Sequence, residues 1–499
     1  MASRDTDQTS TDQAPSGATD RPSASSDGGG EQKRSTRRGG RRRRRRRRVE
    51  GGGEPSSAPT GEQEAEGKES GGGQRKSEGR SRGEGASSAR PKRAVVGRRE
   101  RMAREGGGRR ERRTKRRRRG GGEAEEKADL GKGSGILMIE PGKYGTLRDV
   151  ENMLLPNKKD VYVPQRLIQK HRLRDGSLVE GNLGRGQKYK FQLVDVVSVD
   201  GRTPEEAEGL PGFRDLISID PDFHYATGDI TDNTSMRVVD VVAPIGRGQR
   251  ALIVAPPRSG KTTLLREFAA GIEKGYTDVH LMVLLVAERP EEATDWVRST
   301  GGQIFVSTID ETPKNHVQLS EAVWKRAQRF VELGEDVVLI IDSLTRLARA
   351  YNNHQGTSGK TMSGGLDSRA MERPRQIFGS ARNTETAGSL TIVGTTLVDT
   401  GSRMDQMIFE EFKGTGNMEL VLNRKLADRR IFPAIDIEKS GTRKEEKLFT
   451  KQRLRRITTL RRVLLKMNFI ESMELLITKL SDVEKTDDFL KRFEVDPEA

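Results

Sequence analysis

The stretch that most limits what this chain can fold into is a glycine-lysine-threonine loop set between two regular elements. Residues 251–255 form an apolar run of strand length, and residues 263–274 carry helical spacing. Between them stands Ala255-Pro256-Pro257-Arg258-Ser259-Gly260-Lys261-Thr262. This is the pattern G-x-x-x-x-G-K-[ST] with alanine at the first glycine. A strand that enters a helix through such a loop turns backbone N–H groups toward the positive end of the helix, where phosphates bind. Gly260 permits close approach, Lys261 is expected to reach the β- and γ-phosphates, and Thr262 to offer its hydroxyl to Mg²⁺. The two prolines stiffen the loop entry. A chance Gly-Lys-Thr at a plain helix start is the competing reading, and the flanking strand and helix argue against it.

The surrounding texture agrees. Apolar runs at 281–286, 337–341 and 390–393 alternate with helical patterns at 291–299 and 319–333, which predicts a parallel sheet covered by helices. Glu288 and Asp342 each follow one of these runs, at the carboxyl end of an expected strand. From there Asp342 can serve Mg²⁺ and Glu288 can polarise an attacking water. Either could instead be a helix cap or a loop acid. Phosphoryl transfer also needs a cation for the developing charge. Arg429, Arg430 and Arg443 are candidates, and spacing does not choose among them. ATP with Mg²⁺ is the implied cofactor.

Charge is distributed unevenly. Residues 1–130 hold 36 Lys and Arg against 21 Asp and Glu, and so carry 15 of the chain's 17 surplus positive charges. Ser, Gly, Arg and Glu dominate there, so the segment cannot bury enough apolar surface to offset chain entropy and is expected to be disordered. Arg41 to Arg48 is an unbroken arginine run, and residues 109–119 are nearly one, both beside glycines. Flexible Arg/Gly segments bind RNA or DNA phosphates without reading sequence, and salt weakens them. A tail that only aids solubility is the alternative.

From about 135 to 197 the chain reads as short strands (135–139, 145–148, 161–163, 177–183 and 189–197) separated by turn residues, a small closed barrel of OB type. Tyr144, Tyr162, Tyr189 and Phe191 are interleaved with Lys143, Arg148, Lys158, Lys159, Arg185, Lys188 and Lys190. Aromatic faces beside cations suit single-stranded nucleic acid, although core tyrosines and surface lysines would give the same composition. Residues 200–240 read as a polar connection. Two later stretches read as loops able to carry ligand contacts: the glycine-rich residues 356–365, with Lys360, and residues 399–403, ending in Arg403. In a ring of subunits they could line a pore; a purely structural role is equally open.

The absence of cysteine excludes disulfides, thiolate metal sites and a cysteine nucleophile. The longest strongly apolar stretch, residues 281–287, falls far short of the roughly 20 residues a spanning helix needs. The polar N-terminus lacks the apolar core of a secretory signal. These features lead to the expectation of a soluble cytoplasmic protein with no membrane partner.

Several blocks together resemble the Rho family of bacterial transcription termination factors, ring-shaped hexameric RNA-dependent ATPases and helicases. They are Pro244-Ile245-Gly246-Arg247-Gly248-Gln249-Arg250, the loop 255–262, Glu288-Arg289-Pro290-Glu291-Glu292, residues 342–352, Phe412-Lys413-Gly414-Thr415-Gly416-Asn417-Met418-Glu419-Leu420 and Ser440-Gly441-Thr442-Arg443-Lys444-Glu445-Glu446. The likeness runs from about 135 to about 485. It implies a RecA-like P-loop ATPase core (241–485) preceded by a linker (200–240), an OB or cold-shock-type all-β RNA-binding barrel (133–199) and a long disordered basic tail (1–130), with a short C-terminal tail (486–499).

The resemblance also assigns roles. Gly246, Arg247, Gly248, Gln249, Arg250 and Ala251 would line the nucleotide together with Arg258, Ser259, Gly260, Lys261, Thr262, Thr263 and Arg289. Glu288 and Asp342 keep the roles above. Arg443 would reach as a finger into a neighbour's site, with Arg430 and Arg346 nearby. On the barrel, RNA would meet Lys143, Tyr144, Gly145, Thr146, Leu147 and Arg148, then Asp160, Val161 and Tyr162, then Gln187, Lys188 and Tyr189. In the central pore it would meet Lys360, Thr361, Met362, Ser363, Gly364, Gly365 and Arg403. The implied partners are single-stranded nascent RNA, further copies of the chain in a homohexamer, and RNA polymerase. The implied activity is ATP-driven movement along RNA that releases the transcript from its template.

This sequence departs from the family pattern in three places. Thr146 stands where a second stacking aromatic is usual, Gln187 replaces an acid, and the Arg/Gly tail occupies the place of a small helical bundle. A rotary ATP synthase subunit shares the core type, but the basic barrel, the tail and the glycine-rich loops speak against it. An RNA-binding protein that only senses ATP is disfavoured by the presence of Glu288, Asp342 and Arg443 together.

Overall fold

The computed structural model describes residues 130–186, 189–355 and 363–493. The expectations for the tail, for Gln187 and Lys188, and for Lys360, Thr361 and Met362 lie outside the described residues, as does the side chain of Ser363.

The barrel is built from β1 (Lys132–Ile139), β2 (Gly145–Arg148), β3 (Val161–Val163), helix α1 (Gln165–Lys170), β4 (Leu178–Arg185), β5 (Phe191–Leu193) and β6 (Ser198–Val199). The order β1-β2-β3-β5-β4 closes through a β1–β4 pairing, and β6 extends β4. Leu137, Leu147, Val163, Leu167, Leu173, Val179 and Leu193 fill the interior. The expected strand 189–197 is cut to residues 191–193, and α1 was not foreseen; six residues after a proline give too short a periodic signal.

Residues 200–240 are not a mere connection. They hold α2 (Pro204–Glu208), β7 (Ser218–Ile219), α3 (Thr227–Thr231) and α4 (Thr234–Val242). Every residue of α4 from Met236 to Val242 is buried, so this helix belongs to the body. Its four valines are weak helix formers by themselves, and packing overrides that preference.

The body continues with β8 (Arg250–Ala255), α5 (Lys261–Gly275), β9 (Val279–Glu288), α6 (Pro290–Ser299), β10 (Gln303–Thr308), α7 (Pro313–Glu332), β11 (Asp336–Asp342) and α8 (Leu344–Gln355). Then follow α9 (Glu372–Gly379), β12 (Asn383–Thr384), β13 (Leu390–Leu397), α10 (Arg403–Lys413), β14 (Met418–Val421), α11 (Arg424–Asp428) and β15 (Gly441–Thr442). The sheet order is β10-β9-β11-β13-β8-β14-β15, and all pairings are parallel except the last. Alternate residues of β8 enter different cores: Ala251, Ile253 and Ala255 on one side, Leu252 and Val254 on the other. A strand buried on both faces is the reason its sequence is continuously apolar.

The chain closes with α12 (Lys451–Leu464), α13 (Phe469–Ser481) and α14 (Thr486–Leu490). The boundary expected at 485 is therefore misplaced. Thr486, Phe489 and Leu490 are at most 4% exposed and pack into the body core; a five-residue helix with two acids reads as a polar tail in sequence.

The barrel is seated on α7. Gly176, at φ +85°, lies so close to the α7 backbone that a Cβ there would stand 2.5 Å from the carbonyl carbon of Lys325. Arg326 reaches Asp200. Glu332, 5% exposed, accepts from Arg174 at 2.8 Å, from Arg329 at 2.6 Å and from the Phe213 N–H at 2.5 Å. Glu332→Ala strands the buried Arg329 guanidinium and is expected to cost about 3–5 kcal/mol of stability, read as a lowered denaturation midpoint. A loss below about 1 kcal/mol would mean this clamp does not hold the seat.

Candidate nucleotide cleft and nucleic-acid face

The carboxyl ends of β8, β9 and β11 open into one cleft of about 650 Å³, lined by residues 256–263, Glu288, Arg289, Glu292, Asp342, Ser343, Arg346 and Leu397. The loop after β8 turns through two left-handed residues, Arg258 at φ 63° and Gly260 at φ 84°. The Ser259 hydroxyl donates to the Pro256 carbonyl at 2.8 Å and pins the turn. Gly260 caps α5, so the helix N-terminus points into the cleft, as phosphate binding requires.

Asp342 is 1% exposed. It forms an ion pair with Lys261 and accepts from the Thr395 hydroxyl at 2.9 Å. Glu288 is 3% exposed and accepts from Arg346 Nη1 at 2.6 Å; the same nitrogen donates to the Ala287 carbonyl at 2.5 Å. Burial pushes the Glu288 carboxyl up to about 6; the Asp342 carboxylate adds to the rise, and Arg346 and Lys261 oppose it. Arg289 stands at the mouth, 63% exposed, paired with Glu292 at 3.1 Å.

A second pocket of about 270 Å³ shares Ser259, Gly260 and Thr263 with the cleft and is walled by Phe432. Phe432 is 45% exposed and its ring lies 3.1 Å from where a Gly260 Cβ would stand. An open aromatic face next to a phosphate loop is suited to a purine base. The sequence reading missed it, because Phe432 lies 170 residues downstream and only the fold brings it to the loop.

Two expectations need correction. Gly246, Arg247, Gly248, Gln249, Arg250 and Ala251 do not line this cleft. They sit at the opposite end of β8, some 20 Å of extended chain away. There Arg247 pairs with Asp336 at 2.7 Å, Gln249 and Arg250 bond Asn417, and Ala251 is core. Arg443 lies at that same far end, its N–H bonded to the Asn417 carbonyl. Arg430, two residues before Phe432, stays at the near end, so the two arginines are separated.

The second correction concerns the barrel. Leu147 and Val161 pack toward its interior, and Gly145 faces Leu137. Arg148, 3% exposed, is held by Glu140 at 2.7 Å and by the Leu154 carbonyl at 3.1 Å. Asp160 is also buried; it accepts from the Asn157 N–H at 2.9 Å, and burial raises its pKa. The outer face instead presents a cluster of three half-buried rings. Tyr162 and Tyr189 stack at 5.4 Å and 19°, and Tyr144 tilts against them at 5.4 and 6.4 Å. Lys143 is exposed beside them.

The described end of the first loop candidate, Gly364 and Gly365, meets the start of α10 at the second. A Cβ on Gly364 would stand 3.0 Å from the Met404 nitrogen, and Gly364 and Gly365 both have positive φ. Arg403 opens α10 and is exposed. Asp405, in the first turn of α10, is clamped by Arg349 at 2.5 and 2.8 Å and by the Thr400 hydroxyl at 2.6 Å. Arg349 lies one turn along α8 from Arg346, so a single helix joins the cleft to these loops.

A carboxyl that must be ionised to accept a proton works only above its own pKa. Hydrolysis at this cleft should therefore fall as pH drops below about 6. Arg346→Met removes a cation that lowers Glu288, and the acid limb of the pH–rate profile should move upward. A limb that stays in place would show that Glu288 is not the titrating group.

Comparison with known proteins agrees with this division of labour. Residues 133–205 match the family model of the Rho termination factor RNA-binding domain, and residues 235–442 match the nucleotide-binding domain of the ATP synthase alpha/beta family. A transcription termination factor Rho of Borreliella burgdorferi is 46% identical over 361 residues, covering 72% of this chain and 70% of that protein. Rho of Karelsulcia muelleri is 45% identical over 70% of this chain and 93% of its own length. Rho of Haemophilus influenzae is 45% identical over 72% of this chain and 87% of its own. With a barrel that matches the Rho RNA-binding domain, a phosphate-loop cleft and these relatives, the chain belongs to the Rho family of transcription termination factors.

Proposed function

We propose that this chain is an RNA-dependent ATPase and helicase of homohexameric rings, which binds nascent single-stranded RNA, moves along it and releases the transcript from its template. The observation that carries the reading is the helix α8. Arg346 on it holds Glu288 of the cleft, and Arg349 on it holds the loop that presents Arg403.

In the proposed mechanism the β- and γ-phosphates draw Lys261 away from Asp342, and the α5 N-terminus receives them. Among the described residues no cluster of three metal-ligating side chains exists. The Thr262 hydroxyl and the Asp342 carboxylate fit Mg²⁺, which takes few protein ligands when phosphates supply the rest. Bound there, the ion would neutralise charge on the phosphates. Ionised Glu288 orients the attacking water and takes its proton. The base stacks on Phe432. Arg443, at the far end of the sheet, is free to serve the neighbouring subunit's cleft, with Arg250 beside it. RNA stacks on Tyr144, Tyr162 and Tyr189 and meets Lys360 and Arg403 in the pore. RNA polymerase is the partner that the family suggests.

The rate of ATP hydrolysis with and without single-stranded RNA tests the reading. Strong stimulation is expected, and hydrolysis indifferent to RNA would refute it. Lys261→Ala should abolish hydrolysis while RNA binding persists. The Arg/Gly tail is proposed to add sequence-independent RNA affinity. Deleting residues 1–130 should weaken RNA binding at low salt and flatten the dependence of affinity on salt; unchanged affinity and slope would remove that role.

A further inference from the structure

Next to the barrel's seat on α7 lies a cavity that neither the nucleotide cleft nor the tyrosine face uses. It measures about 480 Å³ and opens where the linker residues Phe213 and Arg214 meet α7 and α9. Trp324 and Gln328, one turn apart on α7, both line it. The Trp324 indole N–H donates to the Ser380 hydroxyl at 2.9 Å, and that hydroxyl donates to the Ile377 carbonyl at 2.6 Å. The Phe213 N–H is held by Glu332, a further turn along α7. These bonds fix the walls of the cavity from three separate parts of the chain.

Two of the lining groups lack a partner. Gln328 is 6% exposed, yet its amide makes no hydrogen bond among the described residues. A buried amide left unpaired is costly, and a ligand that supplies the missing bond recovers that cost on binding. Arg382 donates from Nε to the Ser380 carbonyl at 3.0 Å and lies 4.6 Å from the centre of the Phe213 ring. Among the described residues no carboxylate pairs with it. Burial, and then the neighbouring Arg250, hold its guanidinium below the usual arginine range. Arginine nonetheless keeps its proton in proteins, so Arg382 is a fixed, half-buried cation that an anion would stabilise. Arg214 and Arg375 also line the cavity, against the single acid Glu372; Arg375 is already paired with Glu411 at 2.7 Å.

We propose that this cavity is a phosphate-binding site, in which one phosphate seats between the Arg382 guanidinium and the Gln328 amide. With Nε already used, both Nη nitrogens of Arg382 remain to donate, and their planar fork matches phosphate oxygens. The Gln328 amide supplies two further N–H donors. Arg214, exposed at the mouth, draws an anion toward the cavity. The volume of about 480 Å³ falls in the range that holds a nucleotide, roughly 300–1,000 Å³, and exceeds what a neighbour's carboxylate side chain would fill. The same phosphate chemistry is carried by an RNA chain leaving the barrel and by a free nucleotide, and the test separates the two.

The chain has two tryptophans, and Trp296 is buried in a different core from Trp324. Trp296→Phe in the full chain therefore leaves Trp324 as a reporter in the cavity wall. Tryptophan emission is followed while inorganic phosphate, uridine monophosphate or oligo-rU is added, and a saturable change is expected. A midpoint at least about tenfold lower for oligo-rU than for the monophosphate assigns the phosphate to an RNA chain. Comparable midpoints assign it to a free nucleotide. Arg382→Gln should raise the midpoint about tenfold or more, and Gln328→Leu about three- to tenfold. ATP hydrolysis without RNA should be unchanged in both variants, which shows that they fold. An emission that never changes overturns the proposal. So does a change that survives Arg382→Gln, because it would be transmitted from the cleft or the barrel. Dissociation of a ring by Arg382→Gln in sedimentation, with the midpoint unmoved, would give the cavity to a neighbouring copy and overturn the proposal as well.

Discussion

The pairing of two buried carboxylates at the carboxyl edge of the sheet governs the rest of the structure. Asp342 and Glu288 are each at most 3% exposed, where an unpaired charge would be prohibitively costly. Lys261 and Thr395 hold the first, Arg346 the second. Those partners come from α5, β13 and α8, so placing the acids requires the central strands and the helices over them to be in register. The pairings also prepare the chemistry. Lys261 sits where it can reach a bound phosphate, and Glu288 is pushed up to about 6 by burial and by Asp342 while Arg346 and Lys261 limit the rise.

The same economy joins the cleft to the loops on which RNA is proposed to act. Two arginines a single turn apart on α8 grip carboxylates in different places, Arg346 at the cleft and Arg349 at the foot of α10. Asn352, another turn on, bonds the Gly365 carbonyl and the Asp367 N–H, which fixes where the glycine-rich stretch rejoins the body. Both grips lie in the N-terminal half of α8, so one short stretch of helix is bonded to the cleft and to α10.

The barrel is tied as firmly to the body. Ile136 and Leu154 share a core with α7 and α8, and Glu332 gathers two arginines and a backbone N–H under the linker. This seat holds the face of three tyrosines in a fixed relation to the ATPase body. It also explains why the polar-looking stretch 200–240 is ordered: β7 pairs with β12, and α4 is buried among the core helices.

What the sequence determined by itself is the local chemistry: the phosphate loop, the strand-end acids Glu288 and Asp342, and the alternation of strands and helices. Each depends on residues close together in the chain, where hydrophobic period and turn residues are decisive. The tertiary structure decided everything that depends on distant residues meeting. It set Phe432 against Gly260, placed residues 246–251 and Arg443 at the far end of β8, and kept Arg430 at the near end. It turned Leu147 and Val161 inward and closed three tyrosines, from three separate segments, into one cluster. It drew α4 and α14 into the core. No period or spacing within the chain encodes those contacts, because they arise only when the sheet order and the barrel closure bring remote segments side by side.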